Sequence, residues 1–258
     1  MKTIAISNHK GGVGKTTTVQ NLGHILSDFG NRVLIIDIDP QASLTGSVGA
    51  GDCSGSSLAD VMGGATPGEL EIEDILIEIK PGFDLIPSDL SMSNLEMGLS
   101  QRLGRENVLK RMLRSIADDY DIAIIDCGPS LGLLTVNGLV AADEVIVPCQ
   151  PSILDLRGVS LFLESIETIQ QELNPDLKLF GILVTHFDKR YTHHRDAIET
   201  MKNAGLPVLP ITIGRSVKVA EASGAGQPIT TYDPKNPQAV KYIELAEVIN
   251  EWLNKDQS

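Results

Sequence analysis

Lys10-Gly-Gly-Val-Gly-Lys-Thr-Thr-Thr18 follows the apolar run Thr3–Ser7 and opens a stretch of helical period, Lys15–Phe29. Glycines let the backbone curl so that successive N–H groups point inward, where they can bind phosphate oxygens. Lys15 can reach the β- and γ-phosphates of a nucleotide, and Thr16 can place its hydroxyl on Mg²⁺. The N-terminus of the helix adds its positive end. Because this glycine-rich stretch ending in Gly14-Lys15-Thr16 lies between a strand and a helix, it predicts a phosphate site rather than a glycine-rich turn without a ligand.

The rest of the chain alternates short apolar runs with longer segments of helical period. The runs are almost continuously apolar, as expected of parallel strands covered on both faces. This alternation predicts an α/β fold, a doubly wound, mostly parallel sheet with helices on both faces, in one domain that spans residues 1–258. The predicted strands are Thr3–Ser7, Arg32–Asp37, Phe83–Pro87, Ile122–Asp126, Glu144–Pro148, Leu179–Thr185 and Leu206–Pro210, and the predicted helices are Lys15–Phe29, Glu106–Ile116, Leu156–Glu172, Arg190–Asn203 and Pro237–Leu253.

Two segments between the predicted strands have a different composition. Gly49–Gly68 is rich in Gly and Ser, and Glu69–Glu78 is acidic. We interpret neither as a linker between domains. We expect both to be surface excursions from the sheet.

Composition sets the class of protein. The chain has 258 residues, 42% of them hydrophobic, and a formal net charge of -13, from 21 Lys and Arg against 34 Asp and Glu. This apolar content indicates a soluble globular protein and excludes a disordered chain. The acidity excludes a wholesale nucleic-acid coat, although not a local basic patch.

Cys53, Cys127 and Cys149 are too widely spaced to indicate a disulfide framework or a zinc site. The first residues show no secretion signal and no apolar run is long enough to span a bilayer, so we expect a cytoplasmic location.

Three carboxylates follow predicted strands. Asp126 ends the run Ile122–Asp126, which delivers an acid to the edge of the sheet beside the phosphates. That is the Walker B role, in which the acid supports Mg²⁺. Asp37 and Asp39 end the second strand in the same way, and on one strand their spacing would place both on one face. A single Asp at a strand end is more often a loop cap, but three acids around one phosphate loop favour a metal site in which one of them orients the attacking water.

Lys10 stands at the mouth of the phosphate loop. An ordinary loop of this kind has no requirement for a lysine at its first position. Lys10 is poorly placed to reach a γ-phosphate bound by its own chain and well placed to reach one bound by another subunit. Supplied in trans, its charge would stabilise the transition state like an arginine finger. The plainer alternative is a solvated surface lysine.

The sequence resembles the ParA/MinD ATPases in four blocks that keep the order of that family. Lys10–Thr17 looks like the family's deviant Walker A motif, KGGxGKT. LIIDIDPQAS (34–43), IIDCGPSLGLLTVNGL (124–139) and GRSVKVAEASGAGQPITTYDP (214–234) are similar to ParA-type partition ATPases in particular. The resemblance covers nearly the whole chain.

This resemblance implies a homodimer with ATP and Mg²⁺ sandwiched between the subunits. It implies weak intrinsic ATP hydrolysis, catalysed by Lys10 in trans with Lys15 and with Asp39 as the acid associated with hydrolysis. The base and ribose would lie near 186–188 and 212–214. The implied ATP-binding residues are Lys10, Gly11, Gly12, Val13, Gly14, Lys15, Thr16 and Thr17, and the implied metal-binding residues are Thr16, Asp37, Asp39 and Asp126.

Three prolines of the family pattern are replaced in this chain. Where family members commonly read DCPPS, IPRNVR and SEAP, this sequence has Gly128, Gly214 and Ser223. None of the three is a phosphate or metal ligand. They lie in segments that couple the nucleotide to the dimer and DNA faces, so we expect them to mark a specialised branch.

A family member of the ParA type binds DNA non-specifically in the ATP state and is released when an adaptor stimulates hydrolysis, which segregates or spaces a cargo. The cargo is a plasmid, a chromosome or a protein body such as a carboxysome. Residues 189–218 contain six basic and two acidic side chains, in contrast to the acidic remainder. We expect a nucleoid-associated protein, an adaptor with a basic segment that meets the acidic body, and DNA contacts from Arg190, Arg195, Arg215, Lys218, Lys235 and Lys241.

Two other functions are possible for an ATPase of this kind. A MinD-like regulator would bind a membrane through a basic amphipathic C-terminal helix. The last helix here has an apolar side, but its polar positions are mostly acidic and would be repelled by anionic lipid headgroups, so no stable membrane binding is expected. A metallocluster-loading relative would need a bridging cysteine pair, which the cysteine spacing does not offer. His193 and His194, with His186, do not predict a metal site, because adjacent helical residues point in different directions.

Overall fold

The computed structural model describes residues 1–51, 55–64 and 70–255. Its strands form one sheet in the order β3-β4-β2-β5-β1-β6-β7-β8. Every neighbouring pair in that order is parallel except β3 and β4. The strands are β1 Lys2–Ile6, β2 Val33–Asp37, β3 Ile77–Lys80, β4 Phe83–Ile86, β5 Ile122–Asp126, β6 Glu144–Cys149, β7 Lys178–Phe187 and β8 Val208–Gly214. The predicted mostly parallel sheet is confirmed.

Helices connect the strands and cover both faces of the sheet. They are α1 Lys15–Asp28, α2 Ser43–Ser47, α3 Leu58–Gly63, α4 Met92–Leu99, α5 Val108–Leu113, α6 Leu133–Ala141, α7 Ile153–Glu172, α8 Thr192–Asn203, α9 Val217–Gly224, α10 Ile229–Tyr232 and α11 Pro237–Asn254. Two short 3₁₀ turns lie at Ile72–Ile75 and Arg105–Asn107. The predicted doubly wound architecture therefore holds.

The core divides into two apolar clusters, one on each face of the sheet. Consecutive residues of β2 alternate between them, because side chains in a strand point to opposite faces. Val33 and Ile35 pack with α1 and α11, whereas Leu34 and Ile36 pack with α4, α5 and α6. The strands read as continuous apolar runs because each of their faces is buried.

The described parts of Gly49–Gly68 and Glu69–Glu78 correct the prediction of plain surface excursions. Residues 52–54 and 65–69 lie outside the described residues. Between them, α3 is held by a capping box in which Ser57 and Asp60 exchange bonds. Leu58 and Met62 are buried in the core. Further on, the acidic segment ends in the edge strand β3, whose antiparallel pairing with β4 the continuous-run pattern had not predicted.

The apolar side of α11 packs into the core and is not available as a membrane-binding surface. Leu245, Ala246, Ile249 and Leu253 are buried with the residues of α1. Glu247 and Glu251 are exposed on the opposite side. Across the described ranges, no helix combines the length and apolar character needed to cross a membrane.

Two helical glycines make a matched pair for testing how tightly the sheet and α1 pack. A Cβ at Gly23 would stand 2.9 Å from both Ile35 Cγ2 and Phe83 Cζ, while one at Gly98 in α4 would meet no atom within 4 Å. Alanine favours a helix over glycine by about 1 kcal/mol, and overpacking a core costs about 1–3 kcal/mol. We expect Gly23→Ala to lower the free energy of unfolding and Gly98→Ala to raise it, as measured by urea denaturation. A gain at both positions would contradict the close packing described here.

Candidate nucleotide-binding site

The carboxyl ends of three adjacent strands meet at one point on the edge of the sheet. β1 leads into the glycine-rich loop, and its last residue, Ile6, pairs in register with Asp126 of β5. Asp126 also pairs in register with Asp37 of β2. Because neighbouring parallel strands end at the same edge, the loop and the two acids predicted from the sequence lie together. This crevice is where an open α/β sheet binds its ligand.

The loop itself has the backbone that its glycines permit. Gly12 and Gly14 adopt φ values of 71° and 88°, in the left-handed region that disfavours side chains. Helix α1 begins at Lys15, immediately after Gly14. The first N–H groups of a helix have no carbonyl one turn earlier to accept them, so those of Lys15, Thr16 and Thr17 are available to a phosphate.

Lys15 is buried at the base of the loop. Its Nζ donates a hydrogen bond to the carbonyl oxygen of Lys10 at 3.2 Å. Burial lowers the pKa of the Lys15 ammonium, and the nearby carboxylates of Asp126 and Asp39 partly oppose that shift. A buried ammonium gains more from a bound anion than an exposed one does, because little water screens the interaction.

Thr16 and Asp126 are the residues best suited to Mg²⁺. Thr16 Oγ1 donates to Asp126 Oδ2 at 2.7 Å. Asp126 Oδ1 is buried and has no hydrogen-bond partner in the described structure. Burial, together with the charge of Asp37, raises the pKa of Asp126 well above its usual range. Mg²⁺ prefers hard oxygen ligands and is usually held by one or two carboxylates plus substrate phosphates. An unpartnered carboxylate oxygen beside a threonine hydroxyl fits that requirement.

Asp37 is already engaged by its own chain. Its Oδ2 accepts bonds from the backbone N–H and the hydroxyl of Thr45, both at 2.9 Å, and its Oδ1 accepts from the N–H of Asp39 at 3.1 Å. Burial raises its pKa to about 6. Asp37 therefore fixes the start of α2 relative to β2, and both of its carboxylate oxygens already accept hydrogen bonds from this chain.

Asp39 departs from its predicted placement. β2 ends at Asp37, so the two acids do not share a face of one strand. Instead Asp39 lies in the turn before α2, where its Oδ1 accepts from the N–H of Gln41 at 3.0 Å and its carbonyl oxygen accepts from Ser88. A Cβ at Gly128 would stand 3.4 Å from Asp39 Cγ. The replaced proline position at 128 thus borders this carboxylate, which is half-exposed and able to face a ligand.

Lys10 is bound to an acid of its own chain. Its Nζ forms an ion pair with Asp155 Oδ1 near the start of α7, and the Lys10 side chain remains 45% exposed. The Asp155 carboxylate is nearly buried and also accepts a bond from the hydroxyl of Ser152 at 2.6 Å. The alternative of a merely solvated lysine does not describe this residue.

A cavity of about 430 Å³ opens beside the phosphate loop. Gly14 and Thr17 line one side, and the ends of β7 and β8 line the other, including His186, Ile213 and Gly214 from the two segments predicted near the base and ribose. His186 has a φ of 53°, which is unusual for a residue with a side chain. Its Nδ1 accepts from Arg215 Nε at 3.3 Å, and burial lowers its pKa, with Arg215 adding to that shift. The His186 imidazole that lines the cavity is therefore neutral, with its proton on Nε2.

The residues predicted to contact DNA fall into two groups. Arg190, Arg215 and Lys241 line one cleft of about 800 Å³ at the ends of β6, β7 and β8. Arg195, Lys218 and Lys235 are exposed elsewhere on the surface. Three of the six form ion pairs within the chain, which are Arg190 with Asp188 at 2.6 Å, Lys218 with Glu221 at 2.7 Å and Lys241 with Glu244 at 2.7 Å. Arg215 joins no ion pair among the described residues, so it is the cleft's uncompensated guanidinium.

Two of the residues that replace the family's prolines make hydrogen bonds. Gly214 donates its N–H to Gln238 Oε1 at 2.5 Å, a bond that a proline, which has no N–H, cannot form. Ser223 donates its hydroxyl to Gln20 Oε1 at 2.7 Å. These bonds tie β8 to α11 and α9 to α1. Both residues that depart from the family pattern therefore make contacts between elements near the phosphate loop and elements near the cleft that contains Arg215.

Sequence reasoning missed Asp155, Gln150 and Thr185, which all contact the phosphate loop. The pattern Ser152-x-x-Asp155 is a capping signature that could have located the start of α7. No local pattern distinguishes Gln150 or Thr185, because their contacts join segments more than a hundred residues apart.

Comparisons with known proteins agree with this site. A family model described as an AAA domain matches residues 1–179. The sporulation initiation inhibitor protein Soj of Bacillus subtilis is 39% identical over 253 residues, covering 96% of this chain and 98% of Soj. The chromosome partitioning protein ParA of Caulobacter vibrioides is 38% identical over 256 residues, covering 97% of this chain and 94% of that protein.

A solved structure extends the agreement to the ligand. It is described as cobyrinic acid a,c-diamide synthase from Mycobacterium smegmatis with a bound ATP analogue and magnesium. Its sequence is 40% identical, its TM-score is 0.85, and the match covers 98% of this chain and 96% of that one. ATP and Mg²⁺ are thus the ligands of this fold, and the chain belongs to the ParA-type family of P-loop ATPases.

Proposed function

We propose that this protein is a partition or positioning ATPase. It dimerises around ATP, binds DNA non-specifically in that state, and is released when an adaptor with a basic segment stimulates its weak hydrolysis. The observation that carries the proposal is the convergence of Arg190, Arg215 and Lys241 on one cleft, whose wall of His186, Gly214 and Arg215 also lines the cavity at the phosphate loop. Similarity to Soj and ParA over nearly the whole chain supports it. A cytoplasmic, nucleoid-associated location follows from the same proposal.

The chemistry rests on charges held in fixed positions. Lys15 neutralises phosphate charge from the base of the loop, and the N-terminal N–H groups of α1 bind phosphate oxygens. Mg²⁺, held by Thr16 and Asp126, would neutralise charge that develops on the phosphate oxygens. Asp39, half-exposed beside Gly128, accepts a hydrogen bond from the attacking water and orients it.

In the proposed dimer, Lys10 acts on the phosphate bound by the other subunit. To do so it must leave Asp155, which is nearly buried and keeps the bond from Ser152. Exchanging one carboxylate for a triphosphate, which carries more charge, makes that transfer favourable. Dimerisation is therefore coupled to ATP rather than to ADP.

DNA binding gives the first test of the proposal. Arg215→Glu reverses a charge that no described acid compensates, so we expect it to weaken DNA binding more than tenfold in the presence of ATP, because each phosphate contact contributes to a strongly salt-dependent affinity. Gel-shift titrations at fixed ionic strength with ATP and with ADP measure the effect. We expect retention of DNA by the wild-type protein only with ATP.

Arg114→Glu is the matched control. Arg114 is exposed at the end of α5, on the side of the sheet opposite the phosphate loop, and its replacement makes the same change in net charge. We expect it to bind DNA as the wild type does within about twofold. Equal binding with ATP and ADP, or equal losses in both variants, would refute the ATP-gated DNA proposal.

The other functions suggested by sequence and comparison have less support. A MinD-like output would need a membrane helix, and the apolar side of α11 is packed against α1. Diamide synthesis, the activity in the name of the Mycobacterium smegmatis protein, needs a source of ammonia. Glutamine hydrolysis commonly supplies ammonia through a reactive thiolate. Among the described residues, burial raises the pKa of Cys127 and of Cys149 to about 12, which leaves both as inert thiols, and Cys53 lies outside the described residues.

A further inference from the structure

We propose that Gln150 and Thr185 are positioning residues that hold the phosphate loop in its anion-binding shape. Each donates a side-chain hydrogen bond to a carbonyl oxygen of the loop from a strand end outside it. Neither residue belongs to the glycine-rich motif or follows from it. The inference rests on the proposed ATPase function only for its nucleotide binding, which the test isolates from DNA.

The carbonyl oxygens of the loop each need a hydrogen-bond donor. A loop that aims its N–H groups inward must turn carbonyl oxygens outward, and an outward carbonyl needs a donor to remain there. Four of them have one, since Lys10 O accepts from Lys15 Nζ at 3.2 Å, Gly12 O from Gln150 Nε2 at 3.1 Å, Val13 O from Thr185 Oγ1 at 2.8 Å, and Gly14 O from Thr18 Oγ1 at 2.7 Å. Lys15 and Thr18 are inside the motif and its helix. Gln150 and Thr185 are supplied by β6 and β7.

Thr185 is buried near the end of β7, directly behind the loop. Its hydroxyl lies 2.8 Å from Val13 O and 3.1 Å from Cys149 O. A hydroxyl has a single proton, so it serves these two oxygens one at a time, and the shorter distance favours Val13. A methyl group of the same side chain lies near Gly14, where an added Cβ would stand 3.7 Å from Thr185 Cγ2. Thr185 thus fixes both the direction of one carbonyl and the floor of the loop.

Gln150 holds the outer turn of the loop. Gly12 has φ of 71°, and its carbonyl oxygen accepts from the Gln150 amide just beyond the end of β6. β6 is itself joined to the start of the loop by Asn8, whose Nδ2 donates to Pro148 O at 2.7 Å while its Oδ1 accepts from the N–H of Lys10 at 3.0 Å. The loop is therefore attached to β6 at both its beginning and its middle. Rigid attachment lowers the entropy lost when phosphate binds.

The test compares the affinity of purified full-length variants for ADP by isothermal titration calorimetry. Thr185→Val removes the hydroxyl and keeps the shape of the side chain, and Thr185→Ser keeps the hydroxyl. A hydrogen bond of this kind contributes enough to change a binding constant about three- to tenfold. We expect Thr185→Val and Gln150→Met each to weaken ADP binding by about that factor, and Thr185→Ser to bind within about twofold of the wild type.

Gln170→Met controls for the loss of any amide bond. Gln170 in α7 donates to Leu177 O at 2.8 Å. Leu177 precedes β7, so this bond lies at the amino ends of the parallel strands, away from the loop at their carboxyl ends. We expect this variant to bind ADP as the wild type does. Thermal unfolding separates a loss of stability from a loss of affinity, and if Thr185→Val does not fold, the half-exposed Gln150 still decides the matter. Unchanged ADP affinity in Gln150→Met, or an equal loss in Thr185→Ser and Thr185→Val, would overturn the proposal. Since no DNA is present, failure here leaves the DNA proposal standing.

Discussion

Lys15→Gln is expected to reduce both ATP affinity and the rate of ATP hydrolysis, the latter by at least about 100-fold. Lys15 is the buried cation at the base of the phosphate loop, and burial lowers its pKa because the ammonium is poorly hydrated there. Glutamine retains a donor for Lys10 O but brings no charge to the phosphates. Release of phosphate and titration with an ATP analogue measure the two effects.

The control is Lys178→Gln. Lys178 is exposed at the beginning of β7, at the edge of the sheet away from the site. The same substitution there should leave turnover within about twofold of the wild type. If Lys15→Gln hydrolysed ATP at the wild-type rate, the glycine-rich loop would not be the catalytic phosphate site.

Asp126→Asn is expected to abolish the magnesium dependence of nucleotide binding while leaving the protein folded. The single oxygen of the neutral amide can still accept the bond from Thr16, but the amide is a poor ligand for Mg²⁺. The uncharged side chain also relieves the burial of a carboxylate whose pKa is raised well above its usual range. We therefore expect an unchanged or higher melting temperature without nucleotide, and no further rise when Mg²⁺ is added with ATP.

The pH dependence of the wild type provides a second reading of the same site. A carboxyl whose pKa is raised in the folded protein binds its proton more tightly there, so Mg²⁺ must compete with that proton. With the pKa of Asp37 at about 6 and that of Asp126 raised, the stabilisation by Mg²⁺ and ATP should shrink as the pH falls through about 6. Asp176→Asn, at an exposed position, should leave this profile unchanged. A magnesium response that persists in Asp126→Asn would remove this residue from the metal site.

The phosphate site could be predicted from the sequence because its parts are local. A strand, a glycine-rich loop and the start of a helix are continuous in the chain, and Asp126 lies at the end of an unmistakable apolar run. Parallel pairing then brings such strand ends together without further information. The prediction that Asp39 shares a strand with Asp37 was wrong, because the chain leaves the strand after Asp37. The turn that begins there depends on hydrogen bonds from Thr45, which the local sequence does not indicate.

Elements with mixed signals were harder to predict. Helix α6 is almost entirely apolar and so has no polar side, and Thr135, Val136 and Gly138 lower its helix propensity. Gly138 is needed there because a Cβ would stand 2.8 Å from Ile38 Cδ1. β8 extends to Gly214, beyond the predicted end at Pro210, since Pro210 is tolerated on an edge strand. In both cases tertiary packing outweighed local preference.

The hydrogen bonds around the loop were beyond sequence reasoning for a different reason. Gln150 and Thr185 are ordinary residues in their own segments, and they acquire a role only when β6 folds beside β1 and β7 beside β6. Asp155 likewise contacts Lys10 across 145 positions of chain. Such contacts are set by topology, which the motif alone does not encode.

The division of the core into two clusters has a consequence for redesign. α1, which starts in the phosphate loop, and α11, which carries Lys241, share one cluster and are packed against each other. α3 to α8 belong to the other cluster, behind the sheet. The helix that follows the phosphate loop and one wall of the cationic cleft therefore pack together as a single unit. The layer formed by α4 and α5 packs on the other face of the sheet, so substitutions on its outer surface should leave the packing of α1 against α11 unchanged.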